Sequence, residues 1–161
     1  MTRRIVLFAG ILLTALVTGV FWGTWFTLTR SLEAFSPAEF LHIGKTIIAN
    51  VAVPMRLLMP SALFLLVAAV WLHPAKRSAS FALLVASLGL LLATLLITLL
   101  VEVPIDNEIR RWTVATLPED FEAKRLTWKS FHAWRTLTSV ASLGALLASV
   151  LSPSGSGYAS R

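Results

Sequence analysis

The sequence predicts an all-α membrane protein, a single domain in which four transmembrane helices form a bundle. Of its 161 residues, 57% are hydrophobic and only 14% are charged, whereas a soluble domain averages about half apolar and a quarter charged. The apolar residues are gathered in four blocks of about the 20 residues that a helix needs to cross the hydrocarbon core. The net charge of +6 comes from basic residues scattered at the ends of these blocks. This is where membrane proteins keep them, so we do not expect nucleic acid as a partner.

The four blocks are the predicted spans, and the first and third contain no charged residue. They are Ile5–Phe26, Val51–Leu72, Phe81–Val101 and Trp134–Leu151. Residues 1–151 are therefore predicted to form the transmembrane domain. Residues 152–161, rich in Ser and Gly, are predicted to be a disordered cytoplasmic tail. Arg3 and Arg4 before the first block would also fit a signal peptide. The block is long for that, and no small-x-small cleavage site follows, which favours a retained span.

The distribution of charge predicts the orientation. If the N-terminus is inside, the cytoplasmic segments contain Arg3, Arg4, Lys76, Arg77 and Arg161 and no acid, and all eight acidic residues lie on the other side. Short cytoplasmic loops carry an excess of Lys and Arg in membrane proteins. We therefore expect a multi-pass protein of the cell (inner) membrane, surrounded by membrane lipids, with both termini in the cytoplasm.

Two sequence patterns predict that helices two and four extend beyond the outer face. Ser36-Pro37-Ala38-Glu39 and Thr116-Leu117-Pro118-Glu119 both read as capping boxes with a proline in the first turn. Helices starting near Pro37 and Leu117 would each be about 50 Å long at 1.5 Å per residue, against a hydrocarbon core of roughly 30 Å. The projections could be a solvated cap or the wall of an outer-facing pocket. Helix three, in contrast, is expected to stop at Pro104.

The polar approach to the fourth span carries the candidate site. Arg125, Trp128, His132 and Arg135 follow one another at spacings of 3, 4 and 3, which places them within an arc of about 80° on a helix. Ionisable residues at membrane depth usually face the bundle interior. For Arg125 and Trp128, anchoring at the membrane interface is the alternative interpretation.

Other polar and aromatic residues are predicted to meet this stripe at the outer side. Glu102, at the outer end of helix three, is a natural ion-pair partner for Arg56 or Arg135, in a structural or a catalytic role. Asn107 follows in the connection. Trp25, near the outer end of helix one, belongs either to an aromatic belt or to the wall of a pocket. In the same helix, Gly19 and Gly23 form a small-xxx-small pattern typical of close helix packing.

Several chemistries are excluded or disfavoured. The chain has no cysteine, so disulfides and thiolate sites are absent. It has no zinc-protease motif, phosphate loop or nucleophile elbow. It also lacks the paired repeats of known carriers. His42 and His132 are predicted to share a side and could hold a haem or metal, but two histidines without further ligands are a weak signal. We therefore predict no metal and no cofactor.

The segment Val103-Pro104-Ile105-Asp106-Asn107, together with the stripe of Arg125, Trp128, His132 and Arg135, resembles the anthrone-oxygenase-like four-helix membrane proteins. Most of these belong to a domain class of unknown function. The resemblance covers nearly the whole chain, and the Trp-His-Arg stripe is its most specific part. Members usually read Pro-x-Asn-Asn or similar after helix three, whereas Asp106 replaces one amide in this chain.

The resemblance implies an oxidoreductase that acts on a lipophilic aromatic or quinone-like substrate in an outer-leaflet pocket. Characterised members oxidise anthrones to quinones with molecular oxygen and no evident organic cofactor. By this resemblance His132 would be the catalytic base, because histidine titrates near neutral pH, and Arg135 would stabilise an enolate-like oxygen. The residues predicted to bind substrate are Trp128, Trp25, Asn107, Glu102 and Arg56.

The competing hypothesis is a non-catalytic accessory subunit. Small, hydrophobic four-helix proteins often pack against a larger membrane complex or form a homo-oligomer. An enzyme needs an open cavity around His132, whereas a subunit needs a continuous apolar face and can fill that space with side chains. A cavity reaching His132 is therefore the observation that would separate the two hypotheses.

Overall fold

The computed structural model describes residues 1–152, so the tail predicted for residues 152–161 lies outside the described residues except for Ser152. Within that range the chain is helical and contains no strand. Its α-helices are α1 (Thr2–Thr27), α2 (Pro37–Trp71), α3 (Ala79–Ile97), α4 (Val103–Arg111) and α5 (Phe121–Leu151). Four helical segments are long and apolar enough to cross a membrane: Thr2–Ala34, Pro37–Trp71, Ala79–Arg111 and Phe121–Leu151. The all-α bundle predicted from the sequence is confirmed, and the protein is a multi-pass membrane protein.

The helices pack around a core of aliphatic side chains. α1 contacts both α2 and α5, α3 packs along α5, and α2 meets α3 over a shorter stretch. Leu7, Val17, Leu66, Leu91 and Leu146 are among the buried residues of this core. In lipid there is little hydrophobic force between helices, so close packing and polar contacts have to hold them together.

Hydroxyl groups supply those polar contacts. Ser87 and Ser142 lie 3.1 Å apart between their Oγ atoms and link α3 to α5, and Thr94 lies 2.8 Å from Thr138 across the same interface. On the other side of α5, the Thr18 hydroxyl of α1 donates to the carbonyl of Ser139 at 3.2 Å. Contacts of this kind commonly join helices within membranes.

We call the end of the bundle formed by the connections 28–36 and 112–120 the charged end, and the end formed by Met1, the loop 72–78 and Leu151 the terminal end. A second apolar cluster lies at the charged end, where Leu32 and Phe40 pack with Ile109, Trp112 and Phe121. This cluster holds the helical projections together above the membrane-spanning core.

The predicted start of α2 is confirmed, and the predicted start of α5 is not. At α2, the N–H of Ser36 donates to Glu39 Oε2 at 2.8 Å and completes the capping box. At α5, the side chain of Thr116 accepts the N–H of Thr113 instead of capping the helix. The helix therefore starts at Phe121 rather than Leu117. With 35 residues in α2 and 31 in α5, both helices still exceed the roughly 30 Å hydrocarbon core.

The expectation that helix three stops at Pro104 is wrong. Residues Thr98–Glu102 form one wide π-helical turn, and α4 continues the span to Arg111. Pro104 stands in the first turn of α4. Proline is tolerated in the first turn of a helix, where its fixed φ suits the helix and an N–H usually has no intrahelical partner. The third span thus reaches the charged end as helix rather than as a loop.

The close packing predicted from Gly19 and Gly23 is also wrong. A methyl group placed on either glycine would meet no atom within 4 Å. Gly10 of the same helix is the one close to α2, where such a methyl would lie 3.4 Å from Leu66. The spacing of small residues alone did not show which face of α1 meets its neighbour.

His73 lies buried in the loop at the terminal end. Its Nδ1 accepts the N–H of Ala75 and its Nε2 lies near Ser80 Oγ, both at 3.2 Å. Burial lowers the pKa of His73 below its ordinary value, and the positive charges of Arg3 and Lys76 lower it further.

This histidine predicts a pH dependence of stability. As the pH falls through about 6.5, His73 binds a proton in the unfolded chain but not in the folded chain, because its pKa is lower in the folded chain. The folded state therefore loses stability towards acid. We expect the melting temperature in detergent to fall more steeply, from about pH 7.5 to about pH 5.5, for the parent than for His73→Gln. Parallel profiles for the two proteins would contradict this assignment.

Candidate functional site

A cavity of about 500 Å³ lies in the half of the bundle nearer the charged end. It is bounded by α1, α2, α5 and the third span, from Leu95 of α3 to Arg110 of α4. Most of its wall is apolar, with Val20, Val51, Met55 and Leu95 among the lining residues. Ligand pockets typically measure about 300–1,000 Å³ and combine an apolar wall with a few convergent polar groups. Both features are present in this cavity.

Arg135 is the charged group best fixed in the cavity wall. It is 8% exposed, and its guanidinium lies 4.8 Å from the ring centre of Phe21, as in a cation–π contact. Its Nη2 lies 3.1 Å from Glu102 Oε2. The angle at that contact does not meet hydrogen-bond geometry, and both oxygens of the buried Glu102 lack a hydrogen-bond donor among the described residues. The pair is thus an ion pair at contact distance, which neutralises a charge that would be costly to bury alone.

His132 is fully buried beside Arg135, and both of its ring nitrogens are engaged. Its Nδ1 lies 3.1 Å from Arg135 Nε and 2.5 Å from Arg135 Nη2. Arginine can only donate, so Nδ1 must accept. The other nitrogen, Nε2, lies 3.2 Å from the carbonyl of Phe21 and must donate to it. These partners assign a neutral imidazole with its proton on Nε2, which holds Arg135 in place.

Asp106 and Trp128 form the second polar pair of the wall. The indole N–H of Trp128 donates to Asp106 Oδ1 at 3.0 Å. The Trp128 ring stacks on His132, with ring centres 5.2 Å apart and planes inclined by 21°. The cavity therefore has a carboxylate on α4 and a guanidinium on α5, connected through stacked aromatic rings.

Comparison with known proteins identifies the family. A family model described as anthrone oxygenase matches residues 41–145. This chain belongs to the anthrone oxygenase family. No curated protein and no solved structure matches it significantly. The matched region contains Asp106, His132 and Arg135, and it leaves out the whole of α1, from which Phe21 contributes its ring and carbonyl to the site.

In this anthrone oxygenase family member, most of the residues predicted to form the site come together. Trp128, His132 and Arg135 face inward on α5, and Arg56 and Asn107 line the same cavity. Glu102 pairs with Arg135, one of the two partners predicted for it, but it does not itself line the cavity.

Trp25 and His42 lie elsewhere. Trp25 borders a separate surface depression with Thr29 and Arg30, and its neighbours Trp22 and Phe26 are exposed. His42 is exposed on α2, whereas both nitrogens of His132 are engaged. Residues 1–152 contain no group of three or more side chains arranged to hold a metal ion.

Sequence reasoning missed two cavity residues on α4, Asp106 as a reactive group and Arg110 altogether. Both follow Pro104, at which the sequence predicts the end of helix three. Asn107 and Arg110 lie one and four residues after Asp106, which would place all three within an arc of about 100° on a helix. That signal can be seen only once the segment is treated as helix.

Proposed function

We propose that this protein oxidises a flat, lipophilic aromatic ketone of the anthrone type with molecular oxygen, inside the cavity beside Arg135. The observation that carries the proposal is an apolar cavity of about 500 Å³ into which a carboxylate and a buried guanidinium converge. Family membership supports the same reaction class. An acid–base pair in an apolar pocket is what proton abstraction next to a carbonyl requires.

The proposed reaction balances with oxygen as the oxidant. A base removes one proton from the methylene carbon of the anthrone, and the electron pair moves into the ring as an enolate-like oxyanion. This electron-rich anion reduces O₂ and forms a carbon–oxygen bond at the same carbon. Loss of the second methylene hydrogen with cleavage of the O–O bond leaves a carbonyl group. One oxygen atom enters the quinone and the other leaves as water.

The contacts support a division of roles. Asp106 would be the base, because it lines the cavity and one of its two carboxylate oxygens accepts the Trp128 N–H. Arg135 would stabilise the oxyanion, as fixed cationic donors do when charge develops in a low-dielectric site. His132 would be a positioning residue for Arg135, since both its nitrogens are already engaged. This proposal departs from the expectation that His132 is the base.

Lateral access from the lipid is part of the proposal. The cavity wall includes Leu99 and Val103 of the third span together with residues of α2, and both of these side chains are exposed. We propose that the entrance lies there, between α2 and the third span. A flat hydrophobic substrate concentrates in the acyl chains and could enter there without crossing water.

The function is tested with purified protein in detergent and anthrone at neutral pH. We expect anthraquinone to form with one O₂ consumed per quinone, at a rate well above that in empty micelles, where anthrone oxidises without a catalyst. Oxygen uptake measures a reactant and quinone absorbance measures a product, so the two readings check the balance independently. A rate equal to that of empty micelles would overturn the proposed function.

We also propose that the charged end faces away from the cytoplasm. The loop 72–78 contains Lys76 and Arg77 and no acid, and short basic loops remain inside. Alkaline phosphatase, active only outside the cytoplasm, should be inactive when fused after Leu151 or within 72–78. It should be active when inserted into 112–120. An active C-terminal fusion would reverse the orientation.

A further inference from the structure

Two arginines line the cavity without a counter-ion. Arg56 of α2 and Arg110 of α4 both border it. Within residues 1–152, no carboxylate oxygen lies within 4 Å of either guanidinium, and neither makes a hydrogen bond to the protein. Arg135, by comparison, is matched by Glu102. The guanidiniums of Arg56 and Arg110 are therefore the cationic groups of the cavity whose N–H donors are available to a ligand.

The nearest acid on α4 does not satisfy them. Asp106 lies one helical turn before Arg110, but neither of its carboxylate oxygens lies within 4 Å of that guanidinium, and its Oδ1 accepts from Trp128. Both arginines are exposed side chains at the rim, whereas Arg135 and His132 lie buried deeper in the site. The cavity thus has a cationic rim, an apolar wall and a polar, buried far side.

We propose that Arg56 and Arg110 bind an anionic group on the ligand, so that the cavity selects amphipathic aromatic acids. Such a ligand has flat apolar rings bearing a carboxylate or a similar oxyanion. Guanidinium groups hold carboxylates and phosphates with paired, charge-assisted hydrogen bonds. The rings fill the apolar part of the cavity, and the anion fixes which edge of the rings points towards Asp106 and Arg135. This inference rests on the proposed function and specifies its substrate class.

A lipid phosphate has the same chemistry as a ligand carboxylate. Exposed arginines near a membrane surface can bind phospholipid headgroups. The distinguishing feature of Arg56 and Arg110 is that they line the ligand cavity itself. Arg111 provides a matched control, because it also lacks an ion pair in the described part of the chain, is exposed, and does not line the cavity.

The test compares two ligands of nearly the same shape, anthraquinone-2-carboxylate and the neutral anthraquinone-2-carboxamide. Binding is measured by titration calorimetry in detergent micelles, with empty micelles as the blank. We expect the carboxylate to bind roughly tenfold more tightly, as charge-assisted hydrogen bonds would give. In Arg56→Gln/Arg110→Gln the preference should fall to about one, and in Arg111→Gln it should remain.

Each other outcome has a definite meaning. Equal affinities for the two ligands in the parent would overturn the acid preference and leave the pocket intact. If Arg111→Gln loses the preference equally, the preference arises from general surface charge, and the inference is overturned. If neither ligand binds, the proposed function itself fails.

Nanodiscs distinguish the ligand from the lipid as the source of the anion. We expect the carboxylate preference to persist in both phosphatidylcholine and phosphatidylglycerol nanodiscs. Loss of the preference in both lipids, each of which carries a phosphate, or only in phosphatidylglycerol, whose headgroup has a net negative charge, would mean that the arginines serve lipid headgroups, and the inference about aromatic acids would be wrong.

Discussion

Asp106→Asn is expected to lower kcat for anthrone oxidation by about 10²–10⁴-fold, the range typical for loss of a general base. Asparagine keeps an oxygen that can accept the indole N–H of Trp128, which Asp106 accepts at 3.0 Å. The fold and the binding of substrate should therefore persist. The rate of quinone formation at saturating substrate, together with the melting temperature, measures the effect.

Two further variants make this result specific. Glu119→Gln removes one negative charge from an exposed position at the same end of the bundle and should leave kcat unchanged. His132→Gln should weaken the positioning of Arg135 and reduce kcat less than Asp106→Asn does. If His132→Gln abolishes turnover while Asp106→Asn retains it, the base is His132, as the family resemblance implies.

Glu102→Ala is expected to lower the free energy of unfolding more than any other single change at this site. It would leave Arg135, 8% exposed, as a buried charge without its partner 3.1 Å away. Removing one member of a buried ion pair typically costs about 3–5 kcal/mol. The cost is smaller if the guanidinium can turn towards water. The melting temperature in detergent should fall clearly.

An ion pair with an exposed carboxylate provides the control for Glu102. Glu122 pairs with Arg125 at 2.8 Å, and the Glu122 side chain is 62% exposed whereas that of Arg125 is 12% exposed. Solvent screens an exposed carboxylate, and Arg125 keeps its hydrogen bond to the carbonyl of Phe35 at 3.2 Å, so Glu122→Ala should melt close to the parent. If Glu102→Ala melts no lower than Glu122→Ala, the Glu102–Arg135 pair does not stabilise the fold.

The parts of the fold that depend on composition and local chemistry could be predicted from the sequence. Long apolar blocks identified the spans, and Ser36 with Glu39 predicted the start of α2, because a capping box needs only neighbouring residues. The inward face of α5 followed from helical spacing and from the cost of exposing His132 and Arg135 to lipid.

The parts that depend on tertiary context could not be predicted. A proline usually ends a helix. The third span continues past Pro104 because a wide turn stands immediately before it. The role of His132 depends on the carbonyl of Phe21, far away in the sequence, and on which nitrogen that carbonyl engages. Similarly, Arg110 joins the cavity only because α4 exists.

The wide turn at Thr98–Glu102 sets the rotational phase between α3 and α4. In an α-helix each residue advances the chain by about 100°, so a turn holding one extra residue offsets everything after it by about that angle. Shortening this turn by one residue would leave α3 and its hydroxyl contacts with α5 unchanged. It would rotate Asp106, Asn107 and Arg110 together away from the cavity. A relative with a one-residue gap here would therefore keep the same bundle and present a different face of α4 to its ligand.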